Sequence, residues 1–336
     1  MGFWEIKGKR QEKQMITYNP NFLEPKQIFT REELQKLNSL QKQMDLNYFM
    51  QSKTLNEKLG FDFIYSSAQI EGNTYTKAET LSLLEMGITA GGKKYSDAIM
   101  VVNLRKAYEK VMCDEIEINR PNLHDIHSII ASELVQKQNC GVMRKTPIDG
   151  ISGCNYIPLE SGERLYSEMG YLLETYKKID NPFERAMYLH NNLAYLQYFE
   201  DCNKRTARMM QFISLKNDGV MPLIITQDNK EIYTQYREAL VHYYETGKAD
   251  LTKAFFIKNY EKMVDYFQHS NTIKQRVSPQ VRAEQEKKAQ KQGRGSFSHL
   301  KNLSMLKSEP IFFETYPGFS HLKNLSMLKF WNLSKT

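Results

Sequence analysis

One short stretch of the sequence, YLQYFEDCNKRTARMM at residues 195–210, concentrates side chains that could hold an anion. It places a carboxylate, an amide and three cations within eight residues of an otherwise apolar helical run. Arg205 and Arg208 are three residues apart, so a helix would present both on one face. Each guanidinium can then form forked, charge-assisted hydrogen bonds to phosphate oxygens. The spacing therefore predicts an anion site.

A break in the helical run would add a second anion-binding feature. If one helix ends near Glu200 and the next begins at about Asn203, the new N-terminus leaves backbone N–H groups unpaired, and the helix dipole favours negative charge there. Asp201 at the same mouth can hold a magnesium ion that itself binds phosphates. A polyphosphate is thus the predicted ligand. Spacing alone leaves open the alternative of a solvated helix start with routine salt bridges.

The elements that must position these residues are predicted to be almost all helical. Thr30-Arg-Glu-Glu has the form of a capping box, in which Thr30 and Glu33 each accept from the other's backbone N–H, and apolar helical spacing follows it. Further helices are predicted at about residues 54–70, 76–86, 95–113, 121–136, 161–178, 182–199, 203–216, 229–246 and 250–268.

One segment departs from the helical pattern. Residues 141–162, GVMRKTPIDGISGCNYIPLESG, are rich in Gly, Pro, Ile and Val, which predicts a short β-hairpin between two helices. An isolated hairpin is marginally stable and has to pack on something else. We therefore predict that residues 141–160 form a flap over the site.

Three parts of the chain follow from these patterns: an N-terminal helical extension at 1–53, a main domain at 54–268, and a basic, weakly structured tail at 269–336. Residues 272–301 hold eight Lys or Arg against two Glu, a net charge of +6. We interpret the tail as a solvated segment rather than a nucleic-acid contact. Its repeated FSHLKNLSMLK, at 297–307 and 319–329, is explained most simply by a local duplication or a shifted reading frame; paired docking elements are the alternative.

Composition excludes several other classes of protein. No apolar run is long enough to span a bilayer, and the first 14 residues, MGFWEIKGKRQEKQ, lack the apolar region of a secretory signal. The four cysteines have no CxxC spacing, so neither a zinc site nor a disulfide framework is predicted. We expect a cytoplasmic protein without a membrane partner.

The order of the polar residues in the opening stretch resembles the signature of the Fic family, HPFx(D/E)GN(G/K)RxxR. Lys204 matches the Doc branch of that family, whose loop reads ANKRTA where this chain has CNKRTA. His190 also coincides with a histidine often found there in the family, and we expect it to pack or hydrogen-bond rather than act as a base. The residues in register with the signature are Phe199, Asp201, Asn203, Arg205 and Arg208, and those that follow the family's flap pattern are Arg144, Pro147, Gly153, Tyr156 and Pro158.

A second motif, SSAQIEGN at residues 66–73, resembles the inhibitory helix of Fic proteins, (S/T)xxxE(G/N). Ser67 and Glu71 stand at its key places, followed by Gly72 and Asn73. Because the motif precedes the main signature, the chain looks like the class with an N-terminal inhibitory helix. The resemblance implies that Glu71 pairs with Arg208 in the place of a nucleotide γ-phosphate. Taken alone, the motif could be a helix end with Gly72 just beyond it.

The resemblance implies an all-α Fic fold and an activity that transfers AMP from ATP to a Ser, Thr or Tyr hydroxyl of a target protein. By the same resemblance Asp201 would bind Mg²⁺, Asn203 and the loop amides the inner phosphates, and Arg205 and Arg208 the outer ones. The site loop would be residues 197–208. A target segment would dock by strand addition on the flap residues Thr146, Pro147 and Ile148. A homodimer is expected by family analogy only.

The sequence departs from the family at the base. Gln197 stands where the family has the histidine that removes the hydroxyl proton, and a carboxamide has no useful basicity near neutral pH. Tyr198 replaces a proline and Cys202 a glycine. Three interpretations stay open: an impaired transferase restrained by Glu71, a nucleotide-binding regulator without turnover, or a Doc-like phosphotransferase using Lys204. We do not expect DNA binding, because the chain beyond residue 270 lacks the apolar periodicity of a winged helix.

Overall fold

The structure is a computed structural model and describes residues 15–151 and 153–268. Most of these residues are in α-helices, joined by short loops, two 3₁₀ turns and two very short strands. The helices are α1 Arg31–Gln41, α2 Leu46–Gln51, α3 Lys53–Ile70, α4 Lys77–Met86, α5 Tyr95–Cys113, α6 Arg120–Ala131, α7 Glu163–Lys177, α8 Pro182–Leu196, α9 Asn203–Asn217 and α10 Lys230–Thr246, with α11 described over 250–268. The 3₁₀ turns are Pro20–Phe22 and Lys137–Asn139, and the strands are β1 Ile16–Thr17 and β2 Tyr156–Ile157. The prediction of a mainly helical chain is confirmed.

Helix starts follow the local capping chemistry of the sequence. The capping box at Thr30 is confirmed, because its Oγ1 accepts from Glu33 N at 3.2 Å while Glu33 Oε2 accepts from Thr30 N at 2.7 Å. Two predicted helices were too long. The helix predicted to reach 136 ends at Ala131, where the Asn103 amide donates to the carbonyl of Ser132 at 2.6 Å. The helix predicted to reach 199 ends at Leu196.

Helices α8 and α9 lie at the centre of the described fold and pack against each other. Both are buried nearly all round, which is the pattern of a core helix rather than an amphipathic surface helix. Helix α6 packs on α9 and α7 packs on α8, and α10 lies against both α8 and α3. The central position explains why the polar residues of α9 are buried: they point into an interior that α3 and α10 help to close.

The N-terminal residues before α1 are fastened to α8. The backbone N–H groups of Ile28 and Phe29 donate to the Glu184 carboxylate, each at 2.9 Å, and Tyr188 donates to the carbonyl of Leu23 at 2.6 Å. These bonds, two of them fully buried, fix the chain as it approaches the core. The predicted division at residue 53 stays a prediction.

The predicted β-hairpin at 141–162 is wrong. Within the described part of that segment the strand is β2, and it pairs in parallel with β1, with Ile16 opposite Tyr156. The polar backbone groups nearby are satisfied by side chains instead of a hairpin partner: Asn155 N donates to Glu245 at 2.7 Å, and Leu159 O accepts from Arg144. Strand-forming residues were correctly recognised at Tyr156 and Ile157, but their partner lies about 140 residues away in sequence and local pattern carries no information about it.

Among the helices of 15–151 and 153–268, none has both the length and the apolar character that crossing a bilayer would require. The predicted basic tail and its repeated segment, at 269–336, lie outside the described residues.

Candidate functional site

The site lies at the corner where α8 ends and α9 begins. Gln197 ends α8 in the left-handed conformation at φ 48° and ψ 51°, and Cys202 repeats that conformation at φ 62° just before α9. Cys202 gives α9 no side-chain cap, and in the described structure the amides of Asn203, Lys204 and Arg205 bond no acceptor. An open helix N-terminus is therefore present where the sequence predicted one.

Asn203 braces the loop that forms this corner. Its Oδ1 accepts from Phe199 N at 2.9 Å, and its Nδ2 donates to Phe199 O at 2.8 Å and to Gln197 Oε1 at 3.2 Å. The side-chain amide is thus occupied within the loop, and the group it offers at the helix mouth is its backbone N–H. Its predicted contact with the inner phosphates stays a prediction, best made through that N–H.

His127 on α6 is a second brace, which sequence reasoning missed. Its ring stacks on Phe199 with centroids 3.7 Å apart, its Nδ1 accepts from Gly141 N at 2.9 Å, and its Nε2 donates to Asp201 O at 3.0 Å. Because Nδ1 accepts and Nε2 donates, the imidazole is neutral; burial lowers its pKa to about 4. His127 therefore ties α6, the flap and the site loop together.

Arg205 has buried hydrogen-bond donors that lack an acceptor among the described residues. It is buried, and its Nη2 reaches Asp201 Oδ1 only at 3.4 Å. Its Nε and Nη1 are buried without any hydrogen-bond partner in the part of the chain that the structure describes. Leaving charged donors buried and unpaired is costly, so such groups call for an explanation. An anion bound beside them would supply the missing acceptors.

Glu71, at the end of α3, forms ion pairs with two cationic side chains of α9. Its Oε1 accepts from Arg208 Nη2 at 3.0 Å, and its Oε2 lies 3.2 Å from Lys204 Nζ. Burial by itself would raise the pKa of Glu71, but the charges of Arg208, Lys204 and Arg205 outweigh it and hold the pKa at about 2. The predicted partner Arg208 is present; Lys204 is a second partner that the sequence did not suggest.

The backbone at the end of α3 aims Glu71 at this mouth. Gly72, at φ +83°, adopts the left-handed conformation just beyond the helix, with its N–H bonded to Gln69 O at 2.9 Å. Asn73 N bonds Ala68 O at 3.1 Å, which completes a Schellman motif. The interpretation of SSAQIEGN as a helix end is thus correct, and the same end places Glu71 on α9. Asn73 also fastens it to α5 by donating to Asp97 O at 2.8 Å.

Ser67, one turn earlier in α3, contacts the same arginine twice. Its Oγ accepts from Arg208 Nε at 3.3 Å and its carbonyl accepts from Arg208 Nη2 at 3.0 Å. Arg208 is therefore held by Ser67 and Glu71 at the end of α3 and by Tyr236 of α10, whose hydroxyl accepts from Nη1 at 3.3 Å. In this arrangement Arg208 faces Glu71, whereas Arg205 keeps two donors unpaired.

Gln197 has no basic group to offer. Its Nε2 donates to Ala194 O at 2.6 Å and its Oε1 accepts from Asn203, so the amide closes the end of α8. The neighbouring Tyr198 is buried, its hydroxyl accepts from Arg120 at 2.9 Å, and burial raises its pKa. Neither side chain can take a proton from a hydroxyl near neutral pH. Burial likewise raises the pKa of the Cys202 thiol to about 12, so this cysteine is a packing residue.

Asp201 fits a magnesium ion that arrives with its ligand better than a resident one. Its side chain is 64% exposed, and no cluster of three or more acidic, His or Cys side chains that could hold a metal occurs among the residues described. Mg²⁺ is commonly held by one or two carboxylates together with substrate phosphates and waters. A single exposed carboxylate at an anion site meets that requirement only when phosphate is present.

The segment predicted to form the flap is tied to the site loop by Arg144, which is buried. Its guanidinium donates to Gln197 O at 2.7 Å, to Thr146 O at 2.9 Å and to Leu159 O. Thr146 and Pro147 are exposed, and the N–H groups of Thr146 and Ile148 bond no acceptor in the described structure. The predicted docking residues therefore lie on an open backbone edge tied directly to Gln197.

We expect Arg144→Ala to destabilise the protein by about 3 kcal/mol, because it leaves three carbonyl groups without their shared donor. Urea denaturation followed by circular dichroism measures the change. The matched control is Lys145→Ala, which removes an exposed side chain next to it and should change stability by no more than about 0.5 kcal/mol. Equal losses for the two variants would show that Arg144 does not hold the flap.

Part of this chain is similar in sequence to a known protein family. Residues 117–215 match the sequence model of the Fic/DOC family. The chain is 27% identical over 225 residues to Protein adenylyltransferase Fic of Nematostella vectensis, covering 63% of this chain and 50% of that protein. It is 25% identical over 205 residues to Protein adenylyltransferase fic-1 of Caenorhabditis elegans, covering 56% and 39%. The chain thus spans half or less of the length of these curated relatives.

The fold is also found in a solved structure, Fic-1 (aa134–508) from C. elegans, with a TM-score of 0.61 at 21% identity, covering 72% of this chain and 73% of that one. At this identity the likeness concerns the fold. The family match, by contrast, includes the whole site loop and the start of α9. Residues 117–215 are therefore similar to the Fic/DOC family, and the helical architecture of the described residues is that of a solved Fic structure.

Proposed function

We propose that this chain is an ATP-binding protein whose function is related to that of protein adenylyltransferases, restrained by Glu71 and impaired by Gln197. The observation that carries the proposal is Arg205, whose Nε and Nη1 are buried and unpaired beside an open helix N-terminus. Both features stabilise the same kind of guest, a phosphate chain. The names of the relatives, which are protein adenylyltransferases, support the choice of ATP.

ATP would supply the AMP group, and Mg²⁺ would neutralise its phosphates. The amides of Asn203 and Lys204 would bind the inner phosphates, Arg205 the outer ones, and Asp201 the metal. Arg208 and Lys204 would join them only after Glu71 leaves, since its carboxylate now accepts from both. Glu71 thus stands in for phosphate oxygens, and its negative charge would repel an incoming γ-phosphate.

The step that we expect to be impaired is removal of the proton from the target hydroxyl. In AMP transfer a target hydroxyl oxygen attacks the α-phosphorus, a new P–O bond forms, pyrophosphate leaves, and the hydroxyl proton must pass to a base. Gln197 cannot accept it, since its carboxamide is neutral and already bonded to Ala194 and Asn203. We therefore expect native turnover to be slow or absent. A regulator that binds ATP without turnover is the second candidate, favoured by the same amide.

Doc-like phosphoryl transfer is the third candidate, and it depends on Lys204. The ammonium of this residue lies at the site mouth, 3.2 Å from Glu71. Once Glu71 moves, that cation would be free to bind a terminal phosphate. The presence of Lys204 does not by itself distinguish this reaction from AMP transfer. ATP labelled at the α- or the γ-phosphate can distinguish the two reactions.

A protein target would dock by adding a strand to the open edge at Thr146–Ile148. None of the four cysteines, Cys113, Cys140, Cys154 and Cys202, forms a disulfide bond in the described structure. Free thiols are typical of a reducing compartment, so we propose a cytoplasmic location. A homodimer remains a proposal from family analogy.

The test is to incubate the Glu71→Gly variant and candidate targets with ATP labelled at the α- or the γ-phosphate. Transfer of α-label to protein would identify AMP transfer, and transfer of γ-label the Doc-like reaction. Bound but untransferred nucleotide would identify the regulator. If the Glu71→Gly variant neither binds nor transfers nucleotide, the proposed function is wrong.

A further inference from the structure

A continuous chain of buried hydrogen bonds starts at Arg208 Nη1, whereas Glu71 is bonded to Nη2. Arg208 Nη1 bonds the Tyr236 hydroxyl at 3.3 Å, and that hydroxyl lies 2.8 Å from His190 Nε2. His190 Nδ1 lies 3.0 Å from Asn191 Oδ1, and Asn191 Nδ2 donates to Thr252 Oγ1 at 3.0 Å. All five side chains are buried, so these bonds have no competition from solvent.

With the Asn191 amide oriented as in the structure, one set of hydrogen-bond directions satisfies every contact in this chain. Arginine has only donors, so the Tyr236 oxygen must accept from Arg208, and the Tyr236 hydrogen is left for His190 Nε2. His190 then carries its proton on Nδ1 and donates it to Asn191 Oδ1. The chain ends at Thr252, whose hydroxyl donates to Ala249 O at 3.1 Å. Each side chain in this chain of hydrogen bonds is thus bonded to the next.

The same chain gives Arg208 an anchor that does not depend on α3. Its other partners, Ser67 and Glu71, both belong to α3. Tyr236 is on α10, where its ring also lies 5.2 Å from the Arg208 guanidinium carbon. When Glu71 withdraws, Tyr236 is the contact that can keep the guanidinium in place.

We propose that Tyr236, ordered by His190 and Asn191, is a positioning residue that holds Arg208 ready for the terminal phosphate of the nucleotide. This inference rests on the proposed ATP site. Tyr236 touches no phosphate in this account; it acts through Arg208. It therefore sets how tightly ATP binds once inhibition is released, and it contributes nothing when Arg208 is absent.

A double-mutant cycle tests the inference by measuring the ATP dissociation constant with Mg²⁺, in the Glu71→Gly background, for Tyr236→Phe, Arg208→Met and both together. We expect Tyr236→Phe to weaken ATP binding about tenfold when Arg208 is present, because a hydrogen bond to a charged group is lost. With Arg208→Met in place, Tyr236→Phe should change affinity less than about twofold. Equal losses in both backgrounds would overturn the proposal.

Tyr188→Phe is the matched control, since it removes a buried tyrosine hydroxyl bonded to Leu23 O, away from Arg208. It should leave ATP affinity unchanged. A second measurement needs no variant and no nucleotide: the ¹⁵N NMR signals of His190 in the native protein. We expect the proton on Nδ1 and an unprotonated Nε2. A proton on Nε2 would refute the proposed hydrogen-bond chain from Tyr236 through His190 to Asn191. If Glu71→Gly itself does not bind ATP, the proposed ATP site is refuted. The His190 signals still test the hydrogen-bond chain independently of that result.

Discussion

Replacing Gln197 with histidine in a chain that also carries Glu71→Gly is expected to raise AMP transfer by about 10²- to 10⁴-fold over Glu71→Gly alone. The gain follows from what Gln197 lacks, an atom that accepts a proton near neutral pH. Histidine has an unperturbed pKa of about 6.5 and can do so. The backbone does not oppose the change, because histidine is among the residues that tolerate the left-handed conformation Gln197 adopts.

The assay is transfer of α-labelled AMP to protein, scored per mole of enzyme. Gln197→Asn is the matched control: it keeps an amide, adds no base, and should give no gain. If histidine and asparagine variants transfer equally, the proton is not the obstacle and the interpretation of Gln197 is wrong. Activity in the native chain comparable to the histidine variant would contradict it just as directly.

The second large effect concerns stability. Glu71→Gln is expected to lower the free energy of unfolding by about 3 kcal/mol at pH 7, because it leaves the buried charge of Arg208 without its counter-charge. Urea denaturation measures the change. The control is Glu109→Gln, which breaks the exposed pair with Arg105 and should cost no more than about 0.5 kcal/mol.

The difference between native protein and Glu71→Gln should depend on pH in a defined direction. The carboxyl of Glu71 has a pKa of about 2 in the folded chain and about 4.3 in an unfolded one. A lowered folded-state pKa stabilises the protein fully above the unfolded value, and the stabilisation is lost as pH falls towards the folded value. The two unfolding free energies should therefore differ most above pH 5 and converge towards pH 2. A constant difference over that range would show that the Glu71 charge is not the stabilising element.

Much of the architecture could be predicted from the sequence because it is encoded locally. The helix starts follow capping chemistry at Thr30, and the helices follow apolar spacing. The uncapped start of α9 and its two nearby arginines were also predictable, since they are features of one short stretch. The end of α3 at Gly72 belongs to the same class of local signals.

Three features could not be predicted because they depend on residues far apart in sequence. The strand at Tyr156 pairs with Ile16, which no local pattern specifies. Lys204 is a second partner of Glu71 only because α3 packs near α9. Tyr236 reads in the sequence as one more core aromatic of α10, and its hydroxyl gains significance only beside Arg208 and His190.

The central claim is that the mouth of α9 binds a triphosphate once Glu71 is removed. Isothermal titration of Glu71→Gly with ATP and Mg²⁺ tests it most directly, with Glu71→Gly/Arg205→Met as the paired variant and circular dichroism to confirm that both are folded. We predict binding in the submillimolar range, weakened about 10- to 100-fold by loss of the Arg205 guanidinium. A folded Glu71→Gly protein that shows no binding at millimolar ATP, or binds equally well without Arg205, would contradict the account.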